Sequence, residues 1–305
     1  LDADDEKIDS FKADWSKIGD SIVIVGGDGI WNCHIHSNDI GASIEAGIKI
    51  GRPHKIRITD LLEELFHNED HIEIGGGTEI TLPNLETETS AVIAVVAGEG
   101  VHRIFASMGV HAIIRGGQSM NPSVRDLLDA VEQVNANEII ILPNNKNIIP
   151  VSEQINKQVE KNVHVVPTQS IPEGFSSLLA FDPKANSEAN AKAMANMAAL
   201  VVTGEVTKAV RDSETDAGSV KEGEWIGLSR SGVVVSSDSL VTSTQKLLEN
   251  LVQEEHEIVT IITGEGSSEE TTNAIEKWLT IQFPQVEVEI HQGGQPLYPY
   301  YLGIE

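Results

Sequence analysis

Apolar, β-branched runs alternate with helix-like stretches from Ala91 onward, and this alternation limits the folds open to the chain. The runs predict strands near residues 91–97, 111–115, 138–142 and 163–166. Apolar residues spaced by three or four predict helices between those strands, around 100–108, 123–134 and 148–160. Strands joined by helices lie parallel, because each helix carries the chain back to the end where the previous strand began. The sequence therefore predicts an α/β fold with a mainly parallel sheet.

The pattern changes after residue 186, where hairpins join the strand and helix units. Strands are predicted near 201–211, 224–229, 232–236, 257–263 and 286–291. Helices are predicted near 187–200, 239–252 and 268–281. This mixture predicts a second, smaller α/β lobe. We therefore divide residues 91–305 into two lobes, of about 91–185 and 186–305.

The first sixty residues form a different unit. The predicted elements are a helix within 4–18, strands over 21–25 and 30–36, a helix over 40–50 and a strand near 55–59. The order α-β-β-α-β is the tail of a ferredoxin-like α+β unit of the split β-α-β type, and it places the first strand before Leu1. We assign residues 1–62 to this partial unit. Residues 63–90 have no lasting period and are predicted to be a linker.

The charge of the chain excludes several classes of partner. Its 47 acidic and 21 basic residues give a net charge of −26, which repels nucleic acid phosphates and anionic lipid heads. No apolar run approaches the roughly 18 to 20 residues that a membrane span needs. Cys33 is the only cysteine, and the first residues lack the pattern of a signal peptide. We expect a cytoplasmic protein that binds no nucleic acid and has no membrane span.

Residues 33–36, Cys-His-Ile-His, are the sharpest candidate for a metal site. Side chains alternate along a strand, so His34 and His36 project from one face and Cys33 from the other. Two imidazoles can chelate zinc, but a closed structural site needs four ligands. Asp39 could bend back to join them, or further ligands could lie upstream of this chain. The alternative is that both histidines are hydrogen-bonded packing residues beside the hairpin.

Three polar loops follow predicted strands, where an open parallel sheet gathers its ligands. Their candidate ligand or interface residues are Arg115, Gly117, Gln118, Ser119, Asn121, Asn144 and Asn145. These guanidinium, amide and hydroxyl groups are expected to converge at the carboxyl ends of the strands. The alternative is that Asn, Ser and Pro serve here as caps and turns, with Ser123 and Asn147 starting helices.

Two short glycine motifs also follow strands and precede helices, which is the topology of anion sites at helix N-termini. They are Gly98-Glu99-Gly100 and Gly264-Glu265-Gly266. The intervening glutamates oppose an anion, and neither motif extends to G-x-G-x-x-G. We therefore predict no nucleotide site at either motif. The sequence contains no G-x-S-x-G, H-E-x-x-H or C-x-x-C motif, so we assign no catalytic residue.

Several strings resemble one protein family. Gly19 to Gly26, leading to the H-x-H-[ST]-[ND]-D-x-G pattern at 34–41, resembles the middle domain of the fatty acid kinase catalytic subunit, a family of dihydroxyacetone kinase-like proteins. The strings at 116–123, 142–147, 203–212 and 293–299 look like the DegV-like, two-lobed C-terminal domain of that family. The resemblance covers essentially the whole chain. The aspartate motif of the family's N-terminal nucleotide domain is nowhere in it, and the chain starts at Leu1, so we expect a portion of a longer protein.

The resemblance implies cofactors and partners. ATP and magnesium would bind only in the N-terminal domain, which is missing here, so no kinase catalytic residue carries over. A zinc site would include His34 and His36 and an upstream cysteine that this chain lacks. The resemblance further implies a fatty acid-carrying partner of the DegV family, and a homodimer.

Three functional hypotheses follow from these features. In the first, the intact protein transfers phosphate from ATP to a fatty acid held by a lipid-binding partner, and this non-catalytic portion supplies docking and dimerisation surfaces. In the second, the C-terminal domain is itself a lipid-binding module, with an acyl chain near residues 115–123 and 144–145. The third is a dihydroxyacetone kinase-like activity. A long apolar tunnel would favour the second hypothesis, whereas a crevice filled by side chains would favour the first.

Overall fold

The computed structural model describes residues 1–27, 29–56, 58, 78–80, 89–118, 120–215 and 217–305, with the backbone alone at 20, 21, 36 and 78–80. The chain divides into two compact units, Leu1–Phe66 and His67–Glu305. The predicted boundary near residue 62 and most of the predicted linker, 63–90, lie outside the described residues. Among the described residues, no helix is long and apolar enough to cross a bilayer.

The first unit is a small ferredoxin-like α+β fold. Its elements are β1 (Asp2–Ala3), a 3₁₀ turn (Asp5–Lys7), α1 (Ile8–Trp15), β2 (Gly19–Gly27), β3 (Ile30–Ser37), α2 (Ile40–Ile50) and β4 (Gly51–Arg52). The strands form an antiparallel sheet in the order β2-β3-β1-β4. The prediction that the first strand lies before Leu1 is therefore wrong, because β1 lies within the chain and pairs with both β3 and β4.

Two short strands explain the errors in this unit. Asp2 pairs with Ile30 on one side and with Arg52 on the other. Two residues are too few to show the alternation from which a strand is predicted. The strand predicted near 55–59 is absent at the described residues 55, 56 and 58. The sheet takes Gly51–Arg52 instead, directly after α2.

Helices α1 and α2 cover one face of this sheet. The buried rings of Phe11 and Trp15 have centroids 4.4 Å apart. The indole Nε1 of Trp15 donates to the carbonyl oxygen of Ser43 at 2.9 Å, which ties α1 to α2 and gives the buried indole a partner. Cys33 and Ile35 pack against the same core. The odd-numbered residues of β3 therefore face the helices, as the alternation predicts.

The second unit contains two sheets, of which the first is mainly parallel. Its strands are β5 (Thr78–Ile80), β6 (Ser90–Val96), β7 (Ala112–Arg115), β8 (Glu138–Leu142) and β9 (Asn162–Val165). The helices of this part of the chain are α3 (Glu99–Ser107), α4 (Val124–Gln133), α5 (Ile149–Ile155), α6 (Ile171–Leu179) and α7 (Ser187–Ala198). The strand order is β5-β7-β6-β8-β9, and of these described strands only the β5 edge is antiparallel to its neighbour. The predicted parallel sheet is confirmed.

The second sheet is mixed. Its strands are β10 (Val202–Lys208), β13 (Trp225–Ser229), β14 (Gly232–Ser237), β15 (Ile258–Thr263), β16 (Glu287–Gln292) and β17 (Tyr300–Ile304), and β11 (Ser213–Thr215) and β12 (Gly218–Val220) form a separate hairpin. Helices α8 (Leu240–Leu251) and α9 (Glu269–Gln282) pack on it. The order is β14-β13-β10-β17-β15-β16. The predicted second lobe is confirmed, although its central strand β17 was not predicted. We call the two sheets with their helices the first and second lobes.

Helix α6 joins the two lobes. All its residues from Ile171 to Leu178 are buried. It packs on β17, where a Cβ on Gly303 would lie 3.0 Å from the Cβ of Pro172. The sequence did not predict α6, because Pro172 and Gly174 are unfavourable in a helix interior. Pro172 is tolerated because it lies in the first turn, where its missing N–H needs no partner.

A loop of the second lobe closes the N-terminus of α3. The backbone N–H groups of Gly100 and Val101 donate to the carbonyl oxygen of Gly293 at 2.9 and 3.0 Å. A Cβ on Gly100 would lie 1.8 Å from the carbonyl oxygen of Gln292, so this approach requires glycine. The glycines of the Gly98-Glu99-Gly100 motif therefore allow the two lobes to come into contact. The carbonyl oxygen of Gly293 occupies the position at the helix N-terminus where an anion would bind.

Lys161 caps the C-terminus of α4. Its Nζ donates to the carbonyl oxygens of Val131, Glu132 and Val134, at 2.6, 3.1 and 2.5 Å. These carbonyls belong to the last turn, which has no further N–H groups of its own helix to bind. A cation also interacts favourably with the negative end of the helix dipole.

We expect Lys161→Met to lower the free energy of unfolding by about 2 kcal/mol, because it leaves three carbonyl groups without their charged donor. Denaturant unfolding of the second unit within the intact chain measures the change. Lys157→Met, at an exposed neighbouring position, is the control and should change stability by less than about 0.5 kcal/mol. Equal effects of the two substitutions would contradict the capping role.

Candidate functional site

A small cavity lies between the two lobes, at the carboxyl ends of β6 and β8. Its lining residues are Val95, Ala97, Gly116, Gly117, Gln118, Pro143, Asn144, Asn145, Ile171, Glu205, Tyr298 and Tyr301. Because β7 and β8 flank β6 on opposite sides, the strand order reverses here, and open parallel sheets place their ligands at such points. The volume of this interlobe cavity is about 20 Å³, which is space for one water molecule.

Asn144 has a structural part in this cavity. Its backbone is left-handed, with φ of 53°, and its side chain is buried. The amide Nδ2 donates to the carbonyl of Val95 at 3.1 Å, and Oδ1 accepts from the hydroxyl of Thr168 at 2.8 Å. A Cβ on Gly174 would lie 2.0 Å from Oδ1, so α6 meets this amide through a glycine. Asn144 therefore joins the ends of β6 and β8 to the segment that leads into α6.

Three of the other predicted loop residues, Gly117, Gln118 and Asn145, form the rim. Asn145 donates from Nδ2 to Oε1 of Gln118 at 3.0 Å, and Gly117 exchanges backbone hydrogen bonds with Met120. Ser119 lies outside the described residues, and Asn121 is exposed and is not part of the lining. The structure thus brings Gly117, Gln118, Asn144 and Asn145 together. All four line one small cavity.

Arg115 lies apart from this group. It ends β7, and its Nη2 is 3.6 Å from Oε2 of Glu99. It lines a neighbouring cavity that shares Ala97 and Gly116 with the first. Gly117, Gln118, Asn144 and Asn145 therefore line one cavity, and Arg115 lines the adjacent one.

Glu205 supplies the main charge in the interlobe cavity. Burial raises the pKa of its carboxyl group to about 7, while Lys146 opposes the rise and Glu173 adds to it. Near neutral pH, this carboxyl group therefore exists in both protonation states. It can donate a hydrogen bond in one and only accept in the other.

Tyrosines and an ion pair surround Glu205. The rings of Tyr298 and Tyr301 have centroids 5.1 Å apart. Burial and the carboxylate of Glu205 raise the pKa of both phenols, so they stay neutral. The buried Glu173 accepts from Nη2 of Arg230 at 2.9 Å and from the backbone N–H of Gln169 at 2.7 Å. The second lobe therefore lines its side of the cavity with the carboxyl group of Glu205 and two tyrosine rings.

Glu205, Tyr298 and Tyr301 were not predicted as site residues. Glu205 lies in the string at 203–212, Tyr298 lies in the string at 293–299, and Tyr301 follows it. These strings resembled the family but predicted no chemical role for their residues. In the fold, β10 pairs with β17 and aligns Glu205 with Tyr301. This pairing across almost one hundred residues has no local signal. Only the resemblance marked these segments as important.

The described residues do not assemble a zinc site in the first unit. Cys33 faces the core, and burial raises the pKa of its thiol to about 11, which opposes the thiolate that zinc needs. Asp39 accepts the backbone N–H of Ala42 as a helix cap. His34 is half-buried on β3, and the side chain of His36 lies outside the described residues. The residues with described side chains contain no group of three or more potential ligands, so zinc at the histidine pair stays a prediction.

Curated relatives match almost the whole of this chain. An uncharacterized protein of Staphylococcus aureus strain USA300 is 36% identical over 298 residues, covering 97% of this chain and 53% of the relative. An uncharacterized protein of Staphylococcus haemolyticus strain JCSC1435 is 36% identical over 305 residues with the same coverage. The chain spans about half the length of these relatives.

Two solved structures share the fold at low sequence identity. A DegV family protein from Corynebacterium glutamicum has a TM-score of 0.54 and 11% identity, over 71% of this chain and 96% of that protein. The dihydroxyacetone kinase from C. freundii, in complex with AMP-PNP and Mg²⁺, has a TM-score of 0.54 and 14% identity, over 83% of this chain and 57% of that protein. These likenesses concern the fold alone.

Family models identify both parts of the chain. The model of the FakA-like fatty acid kinase middle domain matches residues 1–67. The model of the FakA-like fatty acid kinase C-terminal domain matches residues 91–305. The chain therefore belongs to the FakA-like fatty acid kinase family, of which it contains the middle and C-terminal domains.

Proposed function

We propose that this chain is the non-catalytic middle and C-terminal portion of a fatty acid kinase that acts in the cytoplasm. The intact protein transfers phosphate from ATP to the carboxylate of a fatty acid held by a lipid-binding partner of the DegV family. ATP and magnesium bind in a domain outside this chain, and this portion docks the partner and forms a homodimer. Family membership over both matched regions supports this proposal.

The small volume of the interlobe cavity supports docking over lipid binding at this place. Its volume of about 20 Å³ admits one water molecule. An acyl chain of eighteen carbons needs on the order of 450 Å³, scaling from benzene in a cavity of about 150 Å³. At this point between the lobes, the chain's own side chains therefore leave no room for an acyl chain.

Glu205 adds an electrostatic obstacle to a fatty acid at this place. A fatty acid carboxylate in the interlobe cavity would lie beside the carboxyl group of Glu205, in a buried setting that screens charge poorly. Two nearby carboxylates cannot both ionise without a large cost. The lipid-binding alternative therefore has less support than docking. The likeness to a dihydroxyacetone kinase concerns the fold and adds no observation for that activity.

The docking proposal is tested by titrating this chain with a fatty acid-binding DegV-family protein loaded with oleate. We expect a saturable complex in sedimentation velocity, because the proposed portion presents the partner to the kinase. Native mass spectrometry of the same mixture should leave the oleate on the partner. Transfer of oleate to this chain would instead support the lipid-binding module.

Two controls accompany this titration. Oleate-loaded serum albumin carries the same lipid on an unrelated surface and should form no complex. The lipid-free partner shows whether docking depends on the lipid. Failure of the loaded partner to bind at any concentration up to about 100 μM would remove the docking proposal.

The pKa of Glu205 gives a pH dependence with a definite sign. An unfolded glutamate titrates near 4.5 and the folded carboxyl group near 7, so the folded chain binds more protons between these values. Stability therefore falls as pH rises from 4.5 to 7, by up to roughly 3 kcal/mol from this group. We expect Glu205→Gln to remove this loss. Urea unfolding of both proteins at pH 5 and pH 8 should show the variant gaining on the wild type as pH rises.

Glu254→Gln is the matched control, since Glu254 is exposed in the turn after α8. It removes one carboxyl group without changing the interlobe cavity, and its effect on stability should be nearly the same at both pH values. If Glu205→Gln behaves like this control, the carboxyl group of Glu205 is not held in an environment that opposes its charge.

A further inference from the structure

Three polar side chains that line the interlobe cavity have unused hydrogen-bonding capacity. They are Glu205, Tyr298 and Tyr301. The two tyrosines are only 7% and 9% exposed, and the carboxylate of Glu205 lies close enough to raise the pKa of both phenols. No group among the described residues forms a hydrogen bond with this carboxyl group or with either phenol hydroxyl. Buried polar groups are normally paired, so these three require a partner within the cavity.

Two amide side chains add oxygen atoms to the lining of the interlobe cavity. Oε1 of Gln118 accepts from Nδ2 of Asn145 at 3.0 Å, and Oδ1 of Asn145 accepts from the backbone N–H of Asn147 at 2.9 Å. An amide oxygen has two lone pairs, so each can still bind a second partner. The lining residues therefore offer one carboxyl group, two phenol oxygens and two amide oxygens. Oxygen ligands of this kind suit hard cations.

The charges around Glu205 leave its carboxylate incompletely balanced. Glu173, the other carboxylate that acts on it, is already paired with Arg230, whose Nη2 lies 2.9 Å from Oε1. Lys146 attracts the carboxylate of Glu205, but it is exposed, and the effect of burial outweighs this attraction. A positive charge inside the cavity would stabilise the ionised carboxyl group, because opposite charges attract strongly where water is excluded.

The size and the charge of the interlobe cavity together select its occupant. The volume of about 20 Å³ holds one water molecule, and a dehydrated potassium or ammonium ion has nearly the same radius. We propose that the interlobe cavity binds a monovalent cation of this size, with the carboxylate of Glu205 as its charged ligand. One carboxylate balances one positive charge, and the described residues contain no group of three or more His, Cys, Asp or Glu for a divalent metal. This inference does not rest on the docking proposal.

Thermal unfolding in matched salts tests the cation site. The 305-residue chain is heated at pH 8 in potassium, ammonium or tetramethylammonium chloride of equal ionic strength. Tetramethylammonium screens the net charge of −26 as the smaller ions do, but it is too large for the cavity. We expect potassium and ammonium to raise the unfolding midpoint of the second unit by about 3 °C over tetramethylammonium, with saturation as their concentration rises. Equal midpoints in all three salts would overturn the proposal and leave water as the occupant.

Substitutions distinguish a bound ion from a general effect of salt. Glu205→Gln keeps the shape of the side chain and removes its charge, so it should abolish the potassium-dependent shift. Tyr301→Phe removes one hydroxyl group and should weaken the apparent affinity for potassium several-fold. Glu254→Gln, which removes an exposed carboxyl group in the turn after α8, is the matched control and should keep the full shift. A shift that survives Glu205→Gln would place the ion elsewhere and overturn the assignment.

Protons and cations compete for the carboxyl group of Glu205. Burial raises its pKa to about 7, so the group is mostly ionised at pH 8 and mostly protonated at pH 5. The potassium-dependent shift should therefore be nearly lost at pH 5. A shift of equal size at both pH values would contradict the assignment to Glu205. Docking is measured by the complex with the lipid-loaded partner, so failure of the cation site and failure of docking are seen separately.

Discussion

The interlobe architecture depends on one contact at the start of α3. There, the carbonyl oxygen of Gly293 accepts hydrogen bonds from two backbone N–H groups. It forms only because Gly100 has no side chain, since a Cβ there would overlap the carbonyl of Gln292. The bond brings the loop before β17 across the carboxyl edge of the first sheet. The loop's buried Gln295 donates to the carbonyls of Ile262 and Tyr298 and so fixes its shape. Tyr298, which lines the interlobe cavity, is held in place by this loop.

The loop that crosses the carboxyl edge of the first sheet limits what this DegV-like fold can bind there. A parallel sheet offers a crevice where its strand order reverses, and here the crevice is occupied by the chain's own groups. Asn144 spans from Val95 to Thr168, and Glu205 enters from the opposite lobe. Burying the carboxyl group of Glu205 costs free energy. A fatty acid carboxylate beside it would add a second buried charge and a further cost. This supports docking for the C-terminal domain.

Elements with continuous burial could be predicted from the sequence, whereas features that depend on distant contacts could not. Strand β6 is buried at every residue, so its apolar run has no interruption and was predicted. Helix α6 was missed because Gly174 is unfavourable in a helix, yet it is needed where the amide of Asn144 approaches. Asn144 was predicted as a ligand or interface residue, or alternatively as a cap or turn residue, whereas the hydrogen bonds that join it to Val95 and Thr168 could not be predicted. Glu205 was missed because β10 and β17, far apart in sequence, place it beside Tyr301.

The two cavities follow from one asymmetry in how the lobes meet. At the ends of β6 and β8, the second lobe contributes Glu205, Tyr298 and Tyr301, and the space closes to the size of a water molecule. At the ends of β6 and β7, the described part of the second lobe contributes Pro296 alone, and an apolar space more than ten times larger remains. Ala97 and Gly116, which are small, lie on the wall that the two cavities share. The loop before β17 therefore contributes Tyr298 to the smaller cavity and Pro296 to the larger one, and this difference in side chains accompanies the difference in volume.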